Sequence, residues 1–148
     1  MSNLLRASVA SALLALATPA YAAINLQPGE WQETETGTED GKPVRAEVNS
    51  SCMTPEEAKD PVKQMAVIKD QSAGHCEKLD VRESGNVVTL VMKCGDPKQY
   101  SIDIVGTFTF VSATRYTGTM KSTVVLGGKT MTQDKKIDAV RVGECKKK

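Results

Sequence analysis

Between residues 99 and 111 apolar side chains recur at every second position, with Ile102, Ile104, Gly106, Phe108 and Phe110 sharing one face. Alternation of period two over that length predicts a long, half-buried β-strand. Similar but weaker patterns predict strands over residues 30–39, 44–51, 115–126 and 129–142, each bounded by turn-forming residues. Trp31 stands near the start of the first, and Thr34, Thr36 and Thr38 line one of its faces. Asp40-Gly41 supplies the turn into the second strand, and Gly127-Gly128 a two-residue connection into the last. Two more strands flank the cluster Ser84-Gly85-Asn86, with Leu79 and Val81 before it and residues 87–92 after it.

One segment breaks the pattern. Thr54-Pro55-Glu56-Glu57 offers a hydroxyl at a helix N-cap, proline at the first helical position and glutamate three residues after the cap. Asp60-Pro61 repeats the signal, with Val62, Met65 and Ala66 at helical spacing, so helix is expected to run to about Ile68. The predicted fold is mainly β: seven antiparallel strands in a strongly curved meander or half-barrel, with a short helical insert between strands 2 and 3.

The first residues change the setting of this domain. Arg6, an apolar run over residues 9–17, and Ala20-Tyr21-Ala22 read as a signal peptide cleaved after Ala22. The run is shorter than the roughly 20 residues a membrane-spanning helix needs. Residues 23–148 then form a single domain exported to the periplasm or beyond. Its interior is thinner than the overall 40% hydrophobic content suggests, because the apolar leader inflates that figure. Of 19 Lys and Arg residues only Arg6 is lost, leaving the charge balanced against 18 Asp and Glu. A neutral protein has no field to attract nucleic acid or anionic membrane, and residues 146–148, all lysine, read as a solvated tail.

Four cysteines in an exported chain imply two disulfides and three conceivable pairings. A hairpin turning at residues 84–86 brings Cys76 opposite Cys94, leaving Cys52 for Cys145. With a three-residue loop, the register that aligns the cysteines sets Val88, Leu90 and Met92 on the face of Lys78, Asp80 and Arg82. A one-residue shift matches Leu79 with Leu90 and Val81 with Val88, but then a β-bulge is required to keep the cysteines together. The bulge is expected. Loop-closure entropy assigns about 3 kcal/mol to the short bridge and between about 4 and 5 to the long one.

Chemistry is scarce. The one histidine, His75, would point away from its neighbour Cys76 on a strand, so the two form no nucleophile and base pair. Bridged thiols and a single histidine argue against a metal site, and no phosphate loop, dinucleotide fingerprint or serine elbow is present, so no cofactor is expected. Carboxylate pairs occur at Glu33 with Glu35 and at Asp134 with Asp138, as coincidence alone would give with 18 acids. Trp31, Ile104, Phe108 and Phe110 are the candidate lining of an apolar ligand site, set against the plainer reading of a buried strand face.

Gly29-Glu30-Trp31, the run from Cys52 to Ala58, the cysteine hairpin, Tyr116-Thr117-Gly118-Thr119 and Gly143-Glu144-Cys145 resemble the bacterial exported family of unknown function DUF3617. The resemblance covers about residues 27–145 and implies a periplasmic or envelope protein of Gram-negative bacteria. It carries no catalytic or binding residues across. Two functions are therefore weighed. The favoured one is a non-enzymatic module binding an apolar ligand or an envelope protein partner; the alternative is a hydrolase working with carboxylates alone.

Overall fold

The computed structural model describes residues 24–63, 76–96 and 99–146. The expected leader, His75 and the helical stretch toward Ile68 lie outside them. Among the described residues there are seven strands: β1 (Gly29–Glu39), β2 (Lys42–Met53), β3 (Cys76–Ser84), β4 (Val87–Asp96), β5 (Tyr100–Ser112), β6 (Arg115–Leu126) and β7 (Lys129–Gly143). A one-turn helix, α1 (Pro55–Lys59), falls between β2 and β3. Asp40 and Gly41 (φ 48° and 75°) and Gly127 and Gly128 (φ 56° and 78°) take the positive φ that two-residue type I′ hairpin loops require.

All pairings are antiparallel in one open sheet, ordered β2-β1-β7-β6-β5-β4-β3. This refines the meander, because β1 adds to the last strand and the break falls at the helical insert. β2 and β3 have no tight turn holding them together, since residues 54–75 connect them, whereas β1 pairs with β7 along almost its whole length. The Cys52–Cys145 disulfide fastens the far end of β2 to the segment that leaves β7.

The cysteine hairpin holds one confirmation and one correction. Cys76 pairs with Cys94 and the register shifts between Cys76 and Lys78, the irregularity expected of a bulge. The loop, however, has two residues: Ser84 pairs with Val87, and Gly85 (φ 63°) begins the turn. Positive φ at the first loop position is what a type II′ turn asks of glycine, and Ser84 is thereby released into the strand. Leu79 consequently faces Met92 and Val81 faces Leu90, two residues along from the expected partners. The apolar positions still share one face.

That face, here called the inner one, carries the core. Leu26, Trp31, Ala58, Val88, Phe110 and Ala139 form one buried cluster drawn from the N-terminal segment, β1, α1, β4, β5 and β7. Side chains from strands four spacings apart meet there, which accords with the twist of strands this long. α1 begins as its sequence demands: Glu57 N–H donates to Thr54 Oγ1 at 3.3 Å, and Thr54 N–H donates to Glu57 Oε2 at 2.7 Å. The helix delivers Ala58, 1% exposed, to the cluster. Asp60 caps a second helical start, accepting from Lys63 N–H at 2.9 Å, and Val62 packs on the core from it.

The N-terminal segment straps this end shut. Leu26 N–H donates to the Ala58 carbonyl (3.1 Å), Gln27 N–H to the Ala113 carbonyl (2.8 Å), and Arg141 Nε to the Pro28 carbonyl (2.7 Å). No helix among the described residues is long and apolar enough to cross a membrane.

Candidate functional site

The residues singled out from the sequence separate into two groups. Trp31 is 3% exposed, its indole N–H donates to the Gln27 carbonyl at 3.0 Å, and its ring lies 5.6 Å from that of Tyr116. Phe110, 7% exposed, lies 5.7 Å from Tyr116 on the other side. Tyr116 thus joins the two rings into one aromatic cluster at the strapped end. Its indole and phenol polar atoms are both satisfied, as buried Trp and Tyr require.

Phe108 and Ile104 lie further along the same face and are only half-buried. Phe108 pairs with Gly118 across β5 and β6, and its ring lies over that glycine and Gly106. A Cβ on Gly118 would stand 2.7 Å from the ring, so glycine here makes room for an aromatic lid. Ile104 sits between Met92 on β4 and Ser122 on β6. Six residues separate it from Phe110, about 20 Å along a strand, so the structure does not unite it with Trp31 in one site. Ile104, Ile102, Met120 and Val124 instead form a half-buried apolar strip on the inner face.

On β1, β2 and β7 the same face changes character. Glu33 accepts from Tyr116 Oη at 2.8 Å, and Glu35 binds Lys135 in a partly buried ion pair. Burial, then the Glu33 hydrogen bond and the neighbouring carboxylates, raise the Tyr116 pKa well above its ordinary value, since each disfavours a phenolate. The Lys135 pKa is raised by the Glu35 hydrogen bond against the effect of desolvation, with smaller contributions from the charges of Glu35, Glu47 and Glu33. Glu47 on β2 stands directly opposite Glu35 in the β1–β2 ladder.

Alternation along β1 foretold that Glu33 and Glu35 share a face. Their partners were not foreseeable, because Lys135 lies 100 residues from Glu35 and Tyr116 lies 83 residues from Glu33 in sequence, and only the β1–β7 pairing brings them near. The other acid pair is likewise engaged, on the outer face, where Asp134 binds Lys121 at 2.7 Å and Asp138 takes both Arg115 nitrogens at 3.0 and 2.8 Å. Each of the four carboxylates thus has a cation or hydroxyl partner. Cys76 is bridged, which removes it as a nucleophile, and no group of three metal-binding side chains occurs among the described residues.

The two disulfides point to an oxidising, extracytoplasmic environment. No solved structure matches the chain. Uncharacterized protein YtgA of Salmonella typhimurium is 33% identical over 154 residues, covering 97% of this chain and 93% of that protein, and YtgA of Salmonella typhi matches equally. Residues 26–145, nearly the whole strapped and bridged sheet, match DUF3617, a family described as proteins of unknown function, and the chain belongs to that family.

Proposed function

We propose that this protein is an exported, periplasmic, non-enzymatic binding module whose open inner face holds an apolar ligand. One observation carries the reading: Ile102, Ile104, Met120 and Val124 stay half-buried on the face whose strapped end is fully packed. Apolar side chains left part-exposed side by side mark binding surfaces more often than isolated ones do. In this division of labour Trp31 and Phe110 hold the closed end rigid, while Phe108 and Ile104 border the ligand. Cleavage after Ala22 would set Ile24, which packs on the core, near the new N-terminus. The carboxylate-hydrolase alternative has no comparable support, since the acids it would use are occupied by partners.

The test is uptake of a neutral alkyl probe, dodecyl maltoside below its micelle concentration, by protein purified from periplasm and followed by native mass spectrometry. One probe per chain is expected, with Ile104→Asp weakening binding at least tenfold, about 1.4 kcal/mol. Absence of both a co-purifying apolar molecule and probe uptake would remove the proposal.

A further inference from the structure

The outer face of the sheet carries a feature separate from the apolar strip. Strand pairing sets Thr109 opposite Thr117 and Thr107 opposite Thr119, and brings Lys136 of β7 opposite Thr119 from the other side. These five side chains line a shallow hollow of about 400 Å³. Strand spacing and the two-residue repeat put the four hydroxyls on a grid of roughly 5 by 7 Å, the footprint of one sugar ring. None of the four threonine side chains has a hydrogen-bond partner among the described residues, and the exposed Lys136 makes no ion pair with them.

The charges around the hollow are already matched. Asp134 and Asp138 flank Lys136 on β7 and are taken by Lys121 and Arg115. Further out, Asp103 is taken by Lys93 and Asp80 by Arg82, while Asp40 accepts from Thr132 N–H at 2.7 Å. Beside β7 on this face, β1 offers the hydroxyls of Thr34, Thr36 and Thr38. No carboxylate lines the hollow among the described residues, so its one charged group is an ammonium without a counter-ion.

We infer that this hollow binds a phosphorylated sugar, with the ring over the four threonines and the phosphate against Lys136. Charge complementarity selects the phosphate: an ammonium whose neighbouring carboxylates are engaged elsewhere is open to an anion, and its hydrogen bonds to phosphate are charge-assisted. The threonines select the sugar, because a hydroxyl both donates and accepts and so meets the hydroxyls of a polyol in either sense. The site goes beyond the apolar-ligand reading and lies on the opposite face, so either can fail without the other.

The experiment titrates glucose 6-phosphate, glucose and inorganic phosphate into isotope-labelled protein purified from periplasm, reading backbone amide shifts by NMR. Glucose 6-phosphate is expected to bind at least tenfold tighter than glucose and threefold tighter than inorganic phosphate, moving the amides of residues 107–109, 117–119 and 136. Lys136→Gln should weaken it at least tenfold and Lys136→Arg should retain it. Thr107→Val with Thr119→Val, which keeps side-chain shape and removes two hydroxyls, should abolish the advantage over inorganic phosphate. Lys78→Gln deletes an exposed lysine of the edge strand β3 and should change nothing. Inorganic phosphate binding as tightly as the sugar phosphate would mean an adventitious ion only and overturns the inference. So does a loss in Lys78→Gln as large as that in Lys136→Gln, which would mean general charge attraction. Absence of shifts at the hollow also overturns it and leaves the apolar strip to its own test.

Discussion

The two halves of this sheet use the same antiparallel ladder and rest on different forces. β4 keeps every second residue covered, with Val88 fully buried and Leu90 and Met92 nearly so. β2 is exposed at eleven of its twelve positions, including Val48 at 58%. Side-chain burial stabilises the first; the second is held by hydrogen bonds to β1 and by the Cys52–Cys145 bridge at its end. A two-stranded ribbon with no covered face is marginal in water. Extending the β1–β2 hairpin beyond the core is therefore feasible because β1 is anchored to β7 and the cysteines close the free end.

The bridge offers the sharpest way to break this comparison. Replacing Cys52 and Cys145 by serine should lower stability by between about 4 and 5 kcal/mol in urea unfolding, and hydrogen exchange should show β2 opening while β4 and β5 stay protected. Uniform loss of protection in all strands would show that β2 is not an independent arm.

Trp31→Ala attacks the opposite half. Removing a buried ring that packs on Tyr116 and holds the Gln27 carbonyl should cost about 3 to 5 kcal/mol, read by thermal or urea unfolding, with all strands losing protection together.

At the seam between the halves the effect is smaller and depends on pH. Tyr116→Phe leaves Glu33 without its hydroxyl donor and should cost about 1 to 2 kcal/mol near neutrality. Tyr116 and Lys135 both have pKa values raised by folding, so the native state holds their protons more tightly than the unfolded chain. Their contribution is complete below the unfolded values, near 10, and is lost as pH rises through the folded ones. Wild-type stability should fall above about pH 10, and the slope should flatten in Tyr116→Phe and flatten further with Lys135→Met added. An unchanged alkaline slope in the double variant would refute the assignment.

Smallest of all, Val48→Thr on the outer arm should change stability by no more than about 0.5 kcal/mol, as a substitution at an exposed strand position would. A loss above 1 kcal/mol would mean that β2 is covered in solution.

Much of this molecule was legible in its residues. Turn chemistry placed Asp40-Gly41 and Gly127-Gly128, the capping box placed α1, and alternation found the inner face of β5. The conflict between cysteine pairing and apolar register foretold the irregularity beside Cys76. Only the two-residue loop escaped, because Ser84-Gly85-Asn86 fits a turn of either length and the choice depends on which strand neighbours gain by pairing.

The candidate site was legible in its parts and not in its assembly. Phe108, Phe110 and Ile104 were readable as one face, but their division into packed and open ends follows from where α1 and the N-terminal strap settle. Glu33 and Glu35 were visible as a pair; Tyr116 and Lys135 were not visible as their partners. The chain alone determined its local elements, its two disulfides and its inner face, because turn preference, helix capping and side-chain period act within a few residues. The strand order, the β1–β7 junction and the charged margin of the apolar strip belong to the tertiary structure, because pairing between distant strands is chosen by the collective gain in burial and hydrogen bonding and no local pattern records it.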